Sequence, residues 1–70
     1  MTLYKTQQWK GNDQKNYWYE YKLEKNEIRK YLCHKETFFE DNAENTIGQI
    51  IESYSVNAPN MPEEFRQYLP

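Results

Sequence analysis

Seven residues, Tyr17-Trp18-Tyr19-Glu20-Tyr21-Lys22-Leu23, restrict the folds open to this chain more than any other feature. Four of the seven are aromatic, and aromatic side chains suit the pleated, half-buried surface of a β-strand. Lys25-Asn26 follows closely. Asn tolerates a left-handed backbone, so this dipeptide reads as the loop of a tight hairpin. A two-residue loop fixes the register. Leu23 then faces Ile28, Tyr21 faces Lys30, Tyr19 faces Leu32 and Tyr17 faces His34, all on one side of the sheet. Trp18 with Cys33, Glu20 with Tyr31 and Lys22 with Arg29 fall on the other side. The first side carries more aliphatic residues and is expected to meet the core. The second sets Trp18 and Tyr31 among charges and places Lys22 against Arg29, a like-charge pair that costs stability unless an anion or solvent relieves it.

Whether such a hairpin can belong to a folded domain depends on what else is there to bury. Leu, Ile, Val and Phe number only 12 among 70 residues, and mean hydropathy is −1.22. That share of aliphatics is low enough to suggest disorder. The small net charge of −2 and the 12 aromatics (7 Tyr, 3 Phe, 2 Trp) argue against it. Each aromatic can bury about 150–250 Å², enough for Tyr and Trp to replace the missing aliphatics. A chain this short buries about 60% of the surface its unfolded form exposes, so one small domain over residues 1–70 with a thin core is expected. A multi-domain enzyme, a collagen-like chain and a coiled coil are excluded.

Further elements are expected on either side of the hairpin. Residues 3–9 read as a weak strand, residues 10–16 as a loop with turn residues Gly11, Asn12 and Asp13, and residues 17–24 and 27–35 as the two hairpin strands. Asp41 with Glu44 has the spacing of a helix capping box. Ala43, Ile47, Ile50, Ile51 and Tyr54 then recur at helical spacing, which predicts an amphipathic helix over about residues 42–55. Phe38-Phe39 would anchor the crossover, and Gly48 would let the helix approach the sheet closely. Asn57-Ala58-Pro59-Asn60 would end that helix. Pro62 followed by Glu63 and Glu64 predicts a short last helix over about 62–69, with Phe65, Tyr68 and Leu69 on its apolar side. The expected fold class is therefore α+β: a three-stranded antiparallel meander, one amphipathic helix packed on the face of Tyr19, Leu23, Ile28 and Leu32, and a short C-terminal helix. In that packing Ile50 and Ile51 are core, and Ile50→Ala costs about 2–5 kcal/mol.

Chemistry finds little support in these residues. Cys33 and His34 are neighbours, but on a strand neighbours point to opposite faces and form no nucleophile–base dyad. No CxxC or HxxxH pair provides zinc ligands, and the acidic cluster Glu40, Asp41 and Glu44 lacks the glycine and spacing of a calcium loop. Two glycines, Gly11 and Gly48, build no phosphate loop. The expectation is no enzyme, no metal and no cofactor. One cysteine forms no intramolecular disulfide, no sequon occurs, no signal-peptide pattern is present, and no apolar run approaches the ~20 residues that cross a bilayer. A cytoplasmic protein without membrane contact is expected.

Charge separates along the chain. Residues 1–35 carry eight basic groups against four acids, and residues 36–70 carry Arg66 alone against seven acids. The plainer reading is that the two halves attract each other within the fold. The functional reading is a surface with a basic and an acidic pole that steers a charged partner. Two kinds of binding fit. Tyr and Trp are favoured at protein interfaces because they offer much area for few rotors, so the leading reading is an adaptor or inhibitor that occupies a partner protein's surface. Its expected contact residues are Trp18, Tyr31, Lys22 and Arg29; the plainer reading is that a second layer, built on Phe65 and Tyr68, covers them. The alternative is nucleic-acid binding, with Trp18 and Tyr31 stacking on bases while Lys22, Arg29 and Lys35 meet phosphates. Over residues 3–55, the expected β-β-β-α order and the Tyr/Trp-rich second strand resemble the arm-binding domains of tyrosine recombinases, although Lys25-Asn26 stands where that family usually carries turn glycines. The overall acidity, with a pI near 5.3, favours a protein partner. Tyr-rich strands with an open edge favour a homodimer over a monomer.

Overall fold

Lys25 and Asn26 both adopt left-handed backbone conformations, with φ of 50° and 62°. This geometry matches the natural twist of the two strands it joins. The strands are β3 (Asn16–Glu24) and β4 (Glu27–Phe38). They pair antiparallel in the register that a two-residue loop dictates, from Glu24 opposite Glu27 to Tyr17 opposite His34. The computed structural model describes residues 1–38 and 43–70.

The first strand is divided. β1 (Thr2–Lys5) and β2 (Trp9–Lys10) both pair with β3, with Tyr4 opposite Tyr21 and Trp9 opposite Tyr17. Thr6 spans the gap: its N–H donates to the Tyr19 carbonyl at 3.0 Å, and its Oγ1 accepts the Tyr19 N–H at 2.9 Å. In the following loop Asp13 Oδ1 accepts the Lys15 N–H at 3.0 Å, the Asx-turn behaviour that suits Asp to turns. Gly11 is required there. A Cβ at this position would stand 2.6 Å from the Tyr17 ring.

Residues 43–55 overturn the expected α+β class. They form a strand, β5 (Ala43–Ser55), which pairs antiparallel with β4 from Glu27 opposite Ser55 to Phe38 opposite Ala43. Among the described residues the sheet has five strands in the order β1-β3-β4-β5, with β2 also on β3. No amphipathic helix packs on it among the described residues, and the β-β-β-α order behind the recombinase resemblance is absent. Two physical reasons account for the correction. Thr46, Ile47, Ile50, Ile51 and Tyr54 are β-branched or aromatic and Gly48 disfavours a helix, so the window satisfies strand preferences better than helical ones. A meander ending at β4 would also leave twelve residues of that strand with an open edge, which β5 closes. The expected packing fails with the helix. Ile47, Ile50 and Ile51 are 39%, 48% and 42% exposed. The proposed helix cap at Asp41, the residue Phe39 and the acid Glu40 lie outside the described residues.

The core is supplied from further along. After β5 the chain turns back at residues 56–62 and forms α1 (Glu63–Arg66), a single turn in place of the expected helix over 62–69. Met61 and Phe65 are buried against Tyr21 and Ile28, with Leu3, Tyr19, Tyr54, Tyr68 and Leu69 packed around them. Phe65 meets Tyr21 and Tyr54 edge-on at ring separations of 5.6 and 4.9 Å, and Tyr68 stacks on Tyr4 at 4.8 Å. Phe65 and Ile28 are fully enclosed. Each stabilises the fold by about 1.5–3 kcal/mol through burial alone. The core thus lies on the face carrying Tyr21 and Ile28, at the end of the sheet nearest the Lys25-Asn26 turn, and the C-terminal segment covers it.

Candidate functional site

The sheet face that carries the core continues beyond it. Strand alternation puts Tyr17 and Tyr19 of β3 on the same side as Tyr21, and Trp9 joins them by pairing with Tyr17. The Trp9 ring lies 4.8 Å from Tyr19 and 6.1 Å from Tyr17, and Tyr17 lies 5.4 Å from the His34 ring on β4. Such separations fall in the range where aromatic rings attract beyond simple burial. Trp9 is exposed, and Tyr17, Tyr19, Leu32 and His34 are half-buried. The result is a platform of four rings running from His34 through Tyr17 and Trp9 to Tyr19, which packs against the edge of the buried core.

Two cations beside this platform, Lys30 and Lys15, are held by carboxylates. Lys30 Nζ stands 4.2 Å from the centre of the Tyr19 ring and 2.6 Å from Glu64 Oε2. Glu64 also accepts the Tyr21 hydroxyl at 2.5 Å. Burial, followed by the Glu64 hydrogen bond, pushes the Tyr21 phenol up to about 12. Lys30 and then Tyr21 hold the Glu64 carboxyl below its usual range. Burial acts to lower the Lys30 ammonium, but its bonds to Glu64 and Tyr21 prevail and raise it. On the far side, Lys15 Nζ meets Glu36 at 2.5 Å, and the same Glu36 oxygen lies 3.0 Å from His34 Nε2. Lys15 and then His34 hold Glu36 below its usual range. The Tyr17 hydroxyl donates to Asp13, which lowers the Asp13 carboxyl and raises the phenol. Lys15–Glu36 and Lys30–Glu64 join the basic first half of the chain to the acidic second half, as the plainer reading of the charge split expects.

The residues expected to form the contact surface lie on the opposite face. Trp18, Lys22, Arg29 and Tyr31 do share that face, with Lys22 opposite Arg29 and Glu20 opposite Tyr31. Trp18 is only 6% exposed, and its indole N–H donates to the buried Glu20 at 2.7 Å. Tyr31, Lys22 and Arg29 are half-buried. Arg29 binds Glu27 at 2.8 Å and Glu24 at 3.2 Å, and Lys22 lies 3.8 Å from Glu20 and 5.0 Å from the centre of the Tyr31 ring. The Lys22–Arg29 repulsion is therefore relieved by the protein's own carboxylates. The segment of Phe65 and Tyr68 does not cover this face, because it packs on the side of Tyr21.

Sequence reasoning expects the whole face of Tyr17, Tyr19, Leu23, Ile28 and Leu32 to meet the core and assigns Trp9 no role; the signal it lacks is the length of the cover. On this face four buried residues close only one end of a molecule 45 Å in its longest extent. Cys33 and His34 do separate: Cys33 is buried opposite Trp18 on the face away from the Phe65 core, and His34 faces Tyr17 and Ile47 on the core's face. Burial, then Glu20, pushes the Cys33 thiol up, which weakens it as a nucleophile. Among the described residues no group of three or more His, Cys, Asp or Glu could hold a metal, and no helix is long and apolar enough to cross a membrane. Comparison of the chain with family models, curated proteins and solved structures finds no match.

Proposed function

We propose that this is a non-enzymatic protein-interaction module, an adaptor or inhibitor that acts by occupying a partner's surface, and that it does so with the platform of Trp9, Tyr17, Tyr19 and His34. The observation that carries the reading is a row of four rings, each touching the next, with Trp9 exposed and the other three half-buried beyond the core. Rigid Tyr and Trp side chains at a surface are the usual anchors of protein recognition. The ion pairs favour a protein over a nucleic acid. Counterion release needs cations that can exchange onto phosphate, and three of the nine in the chain, Lys15, Lys30 and Arg29, are already held by carboxylates of the same chain. The raised thiol of Cys33 supports a binding role over catalysis, and a lone free thiol suits the reducing cytoplasm.

The test is capture of partners from a lysate with and without nuclease, followed by a salt titration. A protein partner survives nuclease, and Trp9→Ala, shown to be folded by circular dichroism, weakens its binding by more than about 1 kcal/mol. Binding that nuclease abolishes and salt steeply weakens would instead indicate nucleic acid. If Trp9→Ala leaves nuclease-resistant binding unchanged while the folded Trp18→Ala, Tyr31→Ala variant loses it, the contact lies on the face of Trp18, Lys22, Arg29 and Tyr31.

A further inference from the structure

The two edges of the sheet are treated differently. The edge formed by β1 and β2 is broken into strands of four and two residues, bulged between Thr2 and Tyr4, and carries Lys5 and Lys10. Short strands, bulges and lysines are the devices by which proteins prevent edge-to-edge pairing. The other edge, β5, runs for thirteen residues. It holds no lysine, arginine or proline, and the stretch Asn45-Thr46-Ile47-Gly48-Gln49-Ile50-Ile51 holds no charge at all. Every residue from 45 to 51 is exposed, three isoleucines included. One bulge, at Ile51 between the pairs Tyr31–Ile50 and Lys30–Glu52, interrupts the ladder to β4; the regular run from 43 to 50 lies ahead of it.

The same region is thin. Beyond the end of β3, the pairs Lys35–Thr46 to Phe38–Ala43 form a ribbon of two strands only, a unit of marginal stability in water. The Cα radius of gyration is 14.2 Å, against about 11 Å for a compact domain of this length.

We propose that β5 pairs antiparallel with β5 of a second copy of this chain, giving a closed two-fold dimer with one continuous sheet. The occupant follows from charge. A neutral stretch of seven residues pairs with itself without setting like charges opposite one another, the penalty that ordinarily opposes self-pairing. A two-fold operation uses the unguarded edge twice and leaves the guarded one outside, so assembly stops at two. The new ladder supplies partners for the outward backbone groups of β5 and thickens the two-stranded ribbon. It also brings the isoleucines of two copies together. This interface adjoins the aromatic platform only at Ile47, opposite His34, and does not rest on the function proposed for the platform.

Light scattering across a dilution series reads the assembly directly. The expected result is a mass of twice 8.6 kDa that falls to the monomer on dilution, with Ile50→Lys raising the dissociation constant at least about tenfold because the charge enters the interface twice. Trp9→Ala, on the platform, leaves the dimer intact. Amide exchange of the unaltered protein provides a readout that no variant can obscure: amides of residues 45–50 gain protection as concentration rises, and those of β1 do not. A monomer mass at every concentration, a dimer that Ile50→Lys leaves unchanged, or a mass that climbs without limit through head-to-tail pairing would each overturn the proposal.

Discussion

The two ends of this sheet use nearly the same residue types to opposite effect. Near the Lys25-Asn26 turn, Ile28 is fully enclosed by Tyr21, Met61 and Phe65. Toward the other end, Ile47, Ile50 and Ile51 stand in solvent. Both groups lie on strands of one ladder, β4 and β5. The difference is the returning segment, which reaches Tyr4, Tyr21 and Tyr54 through Phe65 and Tyr68. Hydrophobic residues in a strand become core only where another layer meets them, and a chain of this size has enough for one end. The closed end provides stability, and the open end is where contact with other molecules is expected.

Substitutions can break or sharpen that contrast. Phe65→Ala has the largest expected effect, a loss of about 3–5 kcal/mol. Total stability for this length is about 4–10 kcal/mol at ~0.05–0.15 kcal/mol per residue. Urea unfolding followed by circular dichroism should show a collapse of the transition; a variant nearly as stable as the parent would mean that the closed end is not the core. The same chemical change at two isoleucines comes next. Ile28→Ala costs about 2–5 kcal/mol, whereas Ile50→Ala, measured in dilute monomer, stays within about 0.5 kcal/mol. Equal losses at both positions would erase the distinction. Gly48→Ala should raise stability by up to about 0.5–1 kcal/mol. Its Cβ would meet Cys33 Sγ at 3.5 Å and the Tyr31 ring at 3.7 Å, ordinary contacts.

The smallest effect is electrostatic. The folded state lowers the Glu64 carboxyl from its ordinary value of 4.5. Its contribution to stability is therefore complete above that value and is lost as pH falls through the lowered one. Thermal unfolding from about pH 6 to about pH 3 should show this acid loss. Glu64→Gln should start less than about 1 kcal/mol lower, since the pair is partly exposed, and should lose less on acidification. An acid limb of unchanged slope would remove Glu64 as a clamp of the closed end.

What the sequence revealed depended on how local the determining interactions are. The register of β3 with β4 followed from Lys25-Asn26, because a two-residue loop leaves no freedom to slip. The grouping of Phe65, Tyr68 and Leu69 on one apolar side was legible from their spacing, but the helix that carries them is shorter than expected and packs on the face of Tyr21, not on that of Trp18. Residues 43–55 were misread because Ala43, Ile47, Ile50, Ile51 and Tyr54 meet helical spacing by coincidence. The deciding factor, the unsatisfied edge of β4, is a non-local demand that no window of the sequence displays. The candidate site was hidden for a related reason. Tyr17, Tyr19 and His34 share the core's face in the right register, and only the extent of the cover separates platform from core.

The separation along the chain between Ile28 and Phe65, the two fully enclosed side chains among the described residues, also orders events in time. The β3–β4 hairpin needs only its own residues and can form within about 1–10 μs of being made. The core cannot close until Phe65 has been synthesised, because no earlier residue fills its place between Tyr21 and Tyr54. At ~5–20 residues per second, the nascent chain spends a few seconds as a paired but uncovered sheet. During that interval Ile28 lacks its cover, and the lysines and bulge of the β1–β2 edge guard one side of the growing sheet before the native core exists.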